Sequence, residues 1–473
     1  MLTLSPSLLA PPAIAAAPRT AGLPERSALL RAVGAGLQVP LIDGSTAEYV
    51  NLDVAASAPA LTAVQYAVLE ATPYYSSVHR GSGYLSQVST LLYERSRAAV
   101  GAFVGARSDD QVIFTRNTTD ALNLLATAVP GPVLVLDIEH HANLLPWRRG
   151  DVSTVAVKPT VAETLDELVR NLNARRYALL AVTGLSNVTG EALPLATVAE
   201  LAHAFGARLA VDGAQLVAHA PVDIAGTGID YLALSGHKLY APYGCGALIG
   251  RADWLDAAPP YLAGGGAVRR VERDAVSWTT GAARHEAGSP NALGAIALAA
   301  ACETFGGLAP AAWRQHEASL TSRLRAGLAG IAGLQLARLW PDSQTPSGIV
   351  TFTVPGLSPE VVAAALSAEF GIGVRDGRFC AHPLLARLGL AGGAVRASLG
   401  VHSSSADVDR LVEAVAALCR YGPQASYQPD AAGNWVPVPD PRRLPPRFGG
   451  GPLAGQPARP CRADRSSPAT PRG

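Results

Sequence analysis

A regular alternation of short apolar runs and helical patterns between residues 110 and 251 constrains the fold of this 473-residue chain more than any other feature. Four of the runs consist mostly of Val, Leu and Ala and end in a polar residue. They lie at residues 133–137, 179–183, 209–212 and 231–235. Continuous apolar runs of this length are typical of parallel strands that are buried on both faces. The alternation predicts an α/β fold with a large, doubly wound, mostly parallel sheet, whose ligands bind beyond the carboxyl ends of the strands.

A second pattern begins near residue 300 and predicts a smaller α+β domain over residues 301–420. Long Ala-rich and Leu-rich helical stretches are followed by short strands and a closing helix. The expected helices are residues 292–305, 310–329, 359–370 and 406–419, the last capped by Ser405, and the expected strands are residues 348–354, 371–374 and 394–399. The large domain is then expected over residues 46–300.

The two ends of the chain lack such periodicity. Residues 1–18 are apolar but have no basic segment and contain prolines, which favours a flexible leader over residues 1–45 rather than a signal peptide. From residue 421 onward Pro, Gly and Arg dominate, so residues 421–473 are expected to form a disordered tail.

Composition narrows the possible partners. The formal net charge of +1 provides no field that would attract nucleic acid or an acidic membrane, and no apolar run approaches the roughly 18 residues of a membrane span. Charged residues make up only 16% of the chain and hydrophobic residues 49%, which favours an oligomer that hides apolar surface. The expected ligand is a small molecule.

The five cysteines are scattered and form no C-x-x-C pair: they are Cys245, Cys302, Cys380, Cys419 and Cys461. This spacing argues against a disulfide framework and against a zinc site, and it favours a reducing, cytoplasmic compartment. We expect no metal.

The strongest local signal is the motif SGHK at residues 235–238, directly after an apolar run, with DGAQ at residues 212–215 at the end of the preceding run. Lys238 is one of only two lysines; the other, Lys158, precedes a proline and is remote from such a cluster. A lysine amine can condense with an aromatic aldehyde cofactor while a carboxylate keeps its pyridine nitrogen protonated. Lys238 and Asp212 suit those roles for pyridoxal 5′-phosphate (PLP), and Ser235 and His237 suit phosphate binding.

Two further motifs add to this cluster. Thr118 and Thr119 precede the helical run 121–128, and hydroxyls and N–H groups at a helix N-terminus form a ready phosphate site. His140 lies in EHHAN at residues 139–143, after a strand, where an imidazole could stack on a planar ring. Metal binding by the adjacent His140 and His141 is the competing interpretation, but no further ligand completes a set.

Together these motifs resemble those of the class V PLP enzymes, and among them the group II, SufS-like cysteine desulfurases or selenocysteine lyases. The matching stretches are colinear: residues 51–57, 78–81, 118–120, 139–143, 186–190, 212–215, 235–240, 264–266, 284–291 and 375–380. The resemblance implies PLP-dependent transferase fold type I, PLP as cofactor, an amino acid as substrate and a homodimer.

Specific roles follow from the resemblance, position by position. His140 would stack on the PLP ring, Asp212 would pair with the pyridine nitrogen, and Asn187 and Gln215 would contact the side of the ring that carries the 3-oxygen. Thr119, Ser235 and His237 would hold the phosphate, and Arg375 and Asn187 would bind the substrate, with Arg375 on its carboxylate. The planar guanidinium group of arginine can donate two parallel hydrogen bonds to a carboxylate, which suits this role.

Cys380 decides the predicted reaction, because sulfur transfer needs a nucleophilic thiolate beside the substrate. It lies in RDGRFCAHP at residues 375–383, where two arginines favour the thiolate. The resemblance implies that L-cysteine, or selenocysteine, is converted to L-alanine with a persulfide on Cys380, and that an acceptor protein then takes the sulfur for uses such as iron–sulfur cluster assembly.

Two departures from the family pattern keep alternatives open. Arg378 and Phe379 stand where the family usually has histidines, and residues 82–84 lack another histidine. The main alternative is a class V aminotransferase, epimerase or C–S lyase that acts on another amino acid. A non-catalytic sulfur-assembly scaffold is the third interpretation, and the presence of Lys238 with Asp212 argues against it.

Overall fold

The structure is a computed structural model that describes residues 26–343 and 347–453. The strands in these ranges are β1 (Gln38–Pro40), β2 (Thr46–Glu48), β3 (Val50–Asn51), β4 (Asp110–Thr115), β5 (Val133–Leu136), β6 (Val152–Val155), β7 (Leu179–Thr183), β8 (Arg208–Asp212), β9 (Tyr231–Ser235), β10 (Gly246–Arg251), β11 (Val268–Val271), β12 (Val276–Trp278), β13 (Gln335–Leu336), β14 (Ile349–Thr353), β15 (Ile372–Gly373), β16 (Arg375–Gly377), β17 (Ala394–Ser398), β18 (Ser426–Pro429) and β19 (Trp435–Val438).

The helices lie mainly between these strands. They are α1 (Thr62–Ala71), α2 (Tyr84–Phe103), α3 (Thr118–Ala128), α4 (Val161–Ala174), α5 (Leu195–Ala204), α6 (Leu216–His219), α7 (Ile224–Thr227), α8 (Ala252–Ala257), α9 (Ala292–Gly306), α10 (Pro310–Ala329), α11 (Pro359–Phe370), α12 (His382–Arg387) and α13 (Ser405–Tyr421). Over the described ranges no single helix is long and apolar enough to cross a membrane. Helices α9 and α10 reach the required length and apolar composition only when they are taken together, as a pair bent by 91°.

A seven-stranded sheet forms the centre of the large domain, in the order β4-β10-β9-β8-β7-β5-β6. Strand β10 runs antiparallel to β4 and β9, and the other neighbouring pairs are parallel. Alternate residues of the central strands enter two different cores: Leu134 and Leu136 of β5 pack on one face, while Val133 and Val135 pack on the other. Burial on both faces explains why these strands are continuous apolar runs. The predicted α/β fold with a mostly parallel sheet is confirmed.

The smaller domain contains a four-stranded antiparallel sheet in the order β13-β14-β17-β16. Helices α10, α11 and α13 supply much of its separate core, in which Leu324, Phe352 and Val412 are fully buried or nearly so. The N-cap of α13 is Ser404 rather than the expected Ser405, because the Ser404 hydroxyl and the Asp407 carboxylate form a reciprocal capping box.

The boundary between the two domains differs from the expected one. Val50 and Leu52 belong to the core of the small domain, because β3 pairs in parallel with β15. Helix α10 spans both cores: Trp313 packs with the large domain, and Leu320 packs with the small one. The domain boundary is therefore not a single point at residue 300: β3, early in the chain, belongs to the small domain, and α10 contributes to both domains.

The two ends also differ from the expectation, as far as they are described. Residues 26–45 are ordered: the Leu29 N–H donates to the Val401 carbonyl, and β1 pairs with β2. Near the other end, β18 and β19 form a hairpin whose Tyr427 hydroxyl donates to Glu369 of α11. Non-periodic segments such as these become ordered through contacts with distant parts of the chain. Residues 1–25 and 454–473 of the expected leader and tail lie outside the described residues.

Candidate active site

A cavity of about 280 Å³ opens at the carboxyl ends of the parallel strands, where β8 ends at Asp212 and β9 ends at Ser235. Parallel strands bring their carboxyl ends to one edge of the sheet, and ligands bind there in open α/β sheets. Every site residue expected from the sequence lines this cavity: Thr118, Thr119, His140, Asn187, Asp212, Gln215, Ser235, His237, Lys238, Arg375 and Cys380. The structure thus brings together residues that are up to 262 positions apart in the chain.

Lys238 and Asp212 form the charged pair of this cavity. Burial lowers the pKa of the Lys238 amine, and the carboxylate of Asp212 opposes part of that shift. Burial raises the pKa of Asp212, while Lys238 and the Ala214 N–H, 3.0 Å from Asp212 Oδ1, act in the opposite direction. A lowered pKa leaves more of the lysine as free amine, which is the nucleophilic and basic form.

The start of α3 forms a cradle of N–H and hydroxyl groups. The Thr118 N–H donates to Ser235 Oγ at 2.8 Å, and the two hydroxyls lie 2.8 Å apart. The N-cap is Asn117, whose side chain accepts from the Asp120 N–H, so Thr118 and Thr119 occupy the first turn of the helix. A helix N-terminus with adjacent hydroxyls is suited to an anion such as a phosphate group.

His140 sits on the turn that follows β5. Its Nδ1 accepts the Ala142 N–H at 3.0 Å, and burial lowers its pKa to about 3, so the ring is neutral near pH 7. The turn is anchored by fully buried Glu139, which accepts hydrogen bonds from the Asn143 side chain and from the Thr183 N–H. A neutral, fixed imidazole is suited to stacking on a flat ring.

Cys380 lies on a short loop after β16 whose backbone is unusual. Phe379 and Cys380 have φ values of 52° and 53°, in the left-handed region that non-glycine residues rarely adopt. Two hydrogen bonds from the large domain hold the loop: the His141 N–H donates to the Cys380 carbonyl, and the Asn187 side chain donates to the Phe379 carbonyl, each at 2.9 Å. The backbone that bears the Cys380 thiol is therefore held in a strained conformation on the cavity wall.

Arg396 is the cavity residue that the sequence interpretation missed. It lies on β17 with 3% of its surface exposed, and burial lowers its pKa while Asp53 opposes the shift. Nη1 donates to the Asn187 carbonyl at 2.8 Å and Nη2 to Asp53 at 3.2 Å, whereas the buried Nε has no hydrogen-bond partner in the described part of the chain. The signal was a single arginine inside the apolar run 394–399.

Comparison with known proteins decides the family. A profile described as "Aminotransferase class-V" matches residues 50–411. The chain belongs to the class V aminotransferase family. Cysteine desulfurase CsdA of Escherichia coli is 36% identical over 366 residues, covering 74% of this chain and 90% of that protein. A probable cysteine desulfurase of Vibrio cholerae is 35% identical over 365 residues, covering 74% of this chain and 89% of its own length.

Solved structures agree with the family assignment. A cysteine desulfurase of Thermococcus onnurineus, in its apo form, superposes with a TM-score of 0.73 at 32% identity, over 79% of this chain and 95% of the other. The structure of Escherichia coli CsdA gives a TM-score of 0.69 at 34% identity, over 78% and 94% of the two chains. These neighbours share the PLP-dependent fold type I that the sequence predicts.

Class V aminotransferases depend on PLP, and the cavity fits that cofactor. It places an amine of lowered pKa, a buried carboxylate, an anion cradle and a neutral imidazole around one space. No group of three or more His, Cys, Asp or Glu side chains in residues 26–343 and 347–453 is arranged to hold a metal ion. The predicted PLP cofactor is confirmed through the family, and the role of each individual residue stays a prediction.

Proposed function

We propose that this protein is a PLP-dependent cysteine desulfurase, which transfers the sulfur of L-cysteine, or the selenium of selenocysteine, to Cys380 and releases L-alanine. The observation that carries the proposal is the position of Cys380 on the wall of the cavity that also contains Lys238 and Arg396. The similarity to proteins named cysteine desulfurases supports it. The reaction is balanced without another reactant, because cysteine and a thiol give alanine and a persulfide.

The cofactor would be held by the residues around this cavity. Lys238 would carry it, Asp212 would pair with its pyridine nitrogen, and the cradle of Thr118, Thr119 and Ser235 would bind its phosphate together with His237. Gln215 donates to the carbonyl of Ala55 at 2.7 Å and so also holds this residue, which lines the cavity. When bound, PLP supplies an acceptor for the electrons that remain after the substrate loses its Cα proton.

Lys238 is the base that we assign to the Cα proton. Burial lowers the pKa of its amine, while the negative charges of Asp212 and of a Cys380 thiolate act in the opposite direction. A general base works best when its pKa lies near the working pH, and burial moves the lysine in that direction. The same amine can return a proton when alanine is formed.

Arg396 is the group that we assign to the substrate carboxylate. It lines the cavity, and its burial makes each charge-assisted hydrogen bond of its guanidinium group strong. Arg375, which the sequence interpretation chose for this role, lines the same cavity and is half-buried. We propose Arg396 as the main contact and Arg375 as an auxiliary cation.

Cys380 completes the reaction. Its thiolate attacks the sulfur of the substrate, so that a new S–S bond forms while the Cβ–S bond of the substrate breaks. The Cβ atom takes up a proton and the product is alanine. Lys238 and Arg396 both lie near enough for the negative charge of a Cys380 thiolate to affect their pKa values, and the reverse attraction favours the thiolate.

Replacement of the two arginines tests the carboxylate assignment. We expect Arg396→Lys to raise the KM for L-cysteine at least about tenfold, because a lysine keeps the charge but loses the forked pair of donors. The matched change Arg375→Lys should raise KM less than about threefold, which is below 1 kcal/mol. Steady-state kinetics of both variants measure this. A larger effect at Arg375 would return the main contact to that residue.

Product analysis tests the proposed function directly. The protein reconstituted with PLP should release alanine and, with dithiothreitol present, sulfide from L-cysteine in equal amounts. Without a reductant, mass spectrometry should find one extra sulfur atom on the peptide that contains Cys380. Pyruvate in place of alanine would indicate a C–S lyase, and transfer of the amino group to a keto acid would indicate an aminotransferase.

We further propose that the enzyme works as a cytoplasmic homodimer that passes its sulfur to an acceptor protein, for uses such as iron–sulfur cluster assembly. Large apolar side chains on α1 and α2 support the dimer: Tyr66 and Tyr84 are 63% and 73% exposed, and Leu69 and Leu91 lie on the same two helices and are also exposed. Exposed apolar surface of this kind is typical of a subunit interface. Analytical ultracentrifugation of the parent measures the oligomeric state.

A further inference from the structure

The ring of Phe379 packs against the guanidinium group of Arg396. The Arg396 Cζ atom lies 5.1 Å from the centre of the ring, within the range of a cation–π contact. Phe379 is 4% exposed and Arg396 is 3% exposed, so water screens little of this contact. Phe379 also lines the cavity directly beside Cys380.

Three contacts join Phe379, Asn187 and Arg396 in a closed triangle. The Asn187 side chain donates to the Phe379 carbonyl at 2.9 Å, and Arg396 Nη1 donates to the Asn187 carbonyl at 2.8 Å. The contact between the Phe379 ring and Arg396 closes the triangle. Each member thus contacts the other two, and the loop that bears Cys380 is connected to the arginine on β17.

We propose that Phe379 is a positioning residue for substrate binding, which holds the Arg396 guanidinium in the orientation that receives the substrate carboxylate. Within residues 26–343 and 347–453 the Arg396 guanidinium makes two hydrogen bonds, through Nη1 and Nη2, and Nε makes none, so hydrogen bonding alone does not set its plane. The Phe379 ring, whose centre lies 5.1 Å from Arg396 Cζ, would limit rotation of the guanidinium on that side. This inference rests on the assignment of Arg396 to the carboxylate.

The backbone of the loop does not need the ring. The loop is held by backbone and Asn187 hydrogen bonds, so a change of the Phe379 side chain should move Arg396 more than it moves Cys380. The inference therefore predicts an effect on substrate affinity and not on the sulfur transfer step.

Two substitutions of Phe379 distinguish the effect of the aromatic ring from the effect of side-chain volume. Phe379→Leu removes the aromatic face but keeps much of the apolar volume, whereas Phe379→Tyr keeps the aromatic face. Both side chains must adopt the same positive φ angle, so the backbone strain at this position is the same in both variants. We expect Leu to raise the KM for L-cysteine about tenfold with kcat within about threefold, and Tyr to restore KM to within about threefold of the parent. Phe448→Leu, at a phenylalanine that is 64% exposed, serves as the matched control.

An equilibrium binding measurement tests the role of Phe379 independently of which reaction the enzyme catalyses. Binding of L-alanine, which has a carboxylate but no sulfur, can be followed through the visible absorbance of the PLP-loaded protein. We expect the Kd for L-alanine to rise about tenfold in Phe379→Leu, in step with KM. This measurement remains informative if the parent proves to catalyse a different class V reaction on an amino acid.

A double-variant cycle tests whether Phe379 acts through Arg396. If it does, Phe379→Leu combined with Arg396→Lys should show the KM of Arg396→Lys alone, to within about twofold, because the ring has lost the group that it positions. If the increase in KM of the double variant equalled the product of the two single increases, Phe379 would act independently of Arg396 and the inference would be overturned. An unchanged KM and Kd in Phe379→Leu would also overturn it, and so would a Phe379→Tyr variant that behaves like Phe379→Leu.

Discussion

Lys238→Ala is expected to lower the release of alanine from L-cysteine by about 10³-fold or more, since the amine both carries the cofactor and serves as the base for the Cα proton. The loss should appear in kcat and should not be recovered by a higher substrate concentration. Treatment of the parent with borohydride and PLP should fix the cofactor on one peptide, and that peptide should be absent after the substitution. Steady-state rates and peptide mass spectrometry measure the two parts of this prediction.

Lys158→Ala provides the matched control, because these are the only two lysines in the chain. Lys158 forms an ion pair with Glu167 at 3.2 Å on α4, away from the cavity, so its loss should leave the rate and the borohydride labelling unchanged. Labelling that persisted in Lys238→Ala would move the cofactor attachment to Lys158 and would contradict the role assigned to Lys238.

Much of the site could be predicted from sequence because it lies where parallel strands end. Strands buried on both faces must be continuous apolar runs, so β8 and β9 were visible, and the polar residues after them were expected to meet at one edge. The scarcity of lysine then singled out Lys238. Lys238 could thus be found from local pattern and one rule of sheet topology, whereas Asn187, Gln215 and Arg375 are expected only from the resemblance to the family.

Arg396 could not be placed by the same reasoning. It belongs to β17 of the small domain, and the packing of this domain against the large one decides which of its side chains face the cavity. The resemblance to the class V family assigns the substrate carboxylate to Arg375, which lies in the same motif as Cys380. Nearness in sequence indicated the correct cavity, but it could not indicate which arginine is the more deeply buried.

The ordered parts of the two ends were missed for a related reason. Glu369 accepts hydrogen bonds from the Gln424 and Ala425 N–H groups and from the Tyr427 hydroxyl, and these contacts cross more than fifty residues of chain. Proline-rich and glycine-rich segments lack periodicity whether or not they are ordered. Their order depends on tertiary partners that no local pattern reveals.

Cys380→Ser is expected to abolish sulfur transfer while leaving the earlier steps intact. We expect release of alanine and sulfide from L-cysteine to fall at least about 10³-fold, because the nucleophile that accepts the sulfur is gone. Exchange of the Cα proton of L-alanine with deuterium from the solvent should stay within about threefold of the parent, a change of less than 1 kcal/mol in the barrier, since it depends on Lys238 and PLP. Mass spectrometry of the recovered amino acid measures the exchange.

The combination of the two readouts distinguishes the possible roles of Cys380. Cys419→Ser on α13 is the matched control, because this half-buried cysteine lies outside the cavity and burial raises its pKa, which disfavours the thiolate. If Cys380→Ser kept its activity on L-cysteine, the reaction would not pass through a persulfide on this residue, and a C–S lyase would become the better assignment. If both sulfur transfer and Cα exchange were lost, Cys380 would be needed for the strained loop itself. A desulfurase requires that sulfur transfer be lost while Cα exchange is retained. Only a residue that acts after removal of the Cα proton can be replaced with loss of the first activity and not of the second.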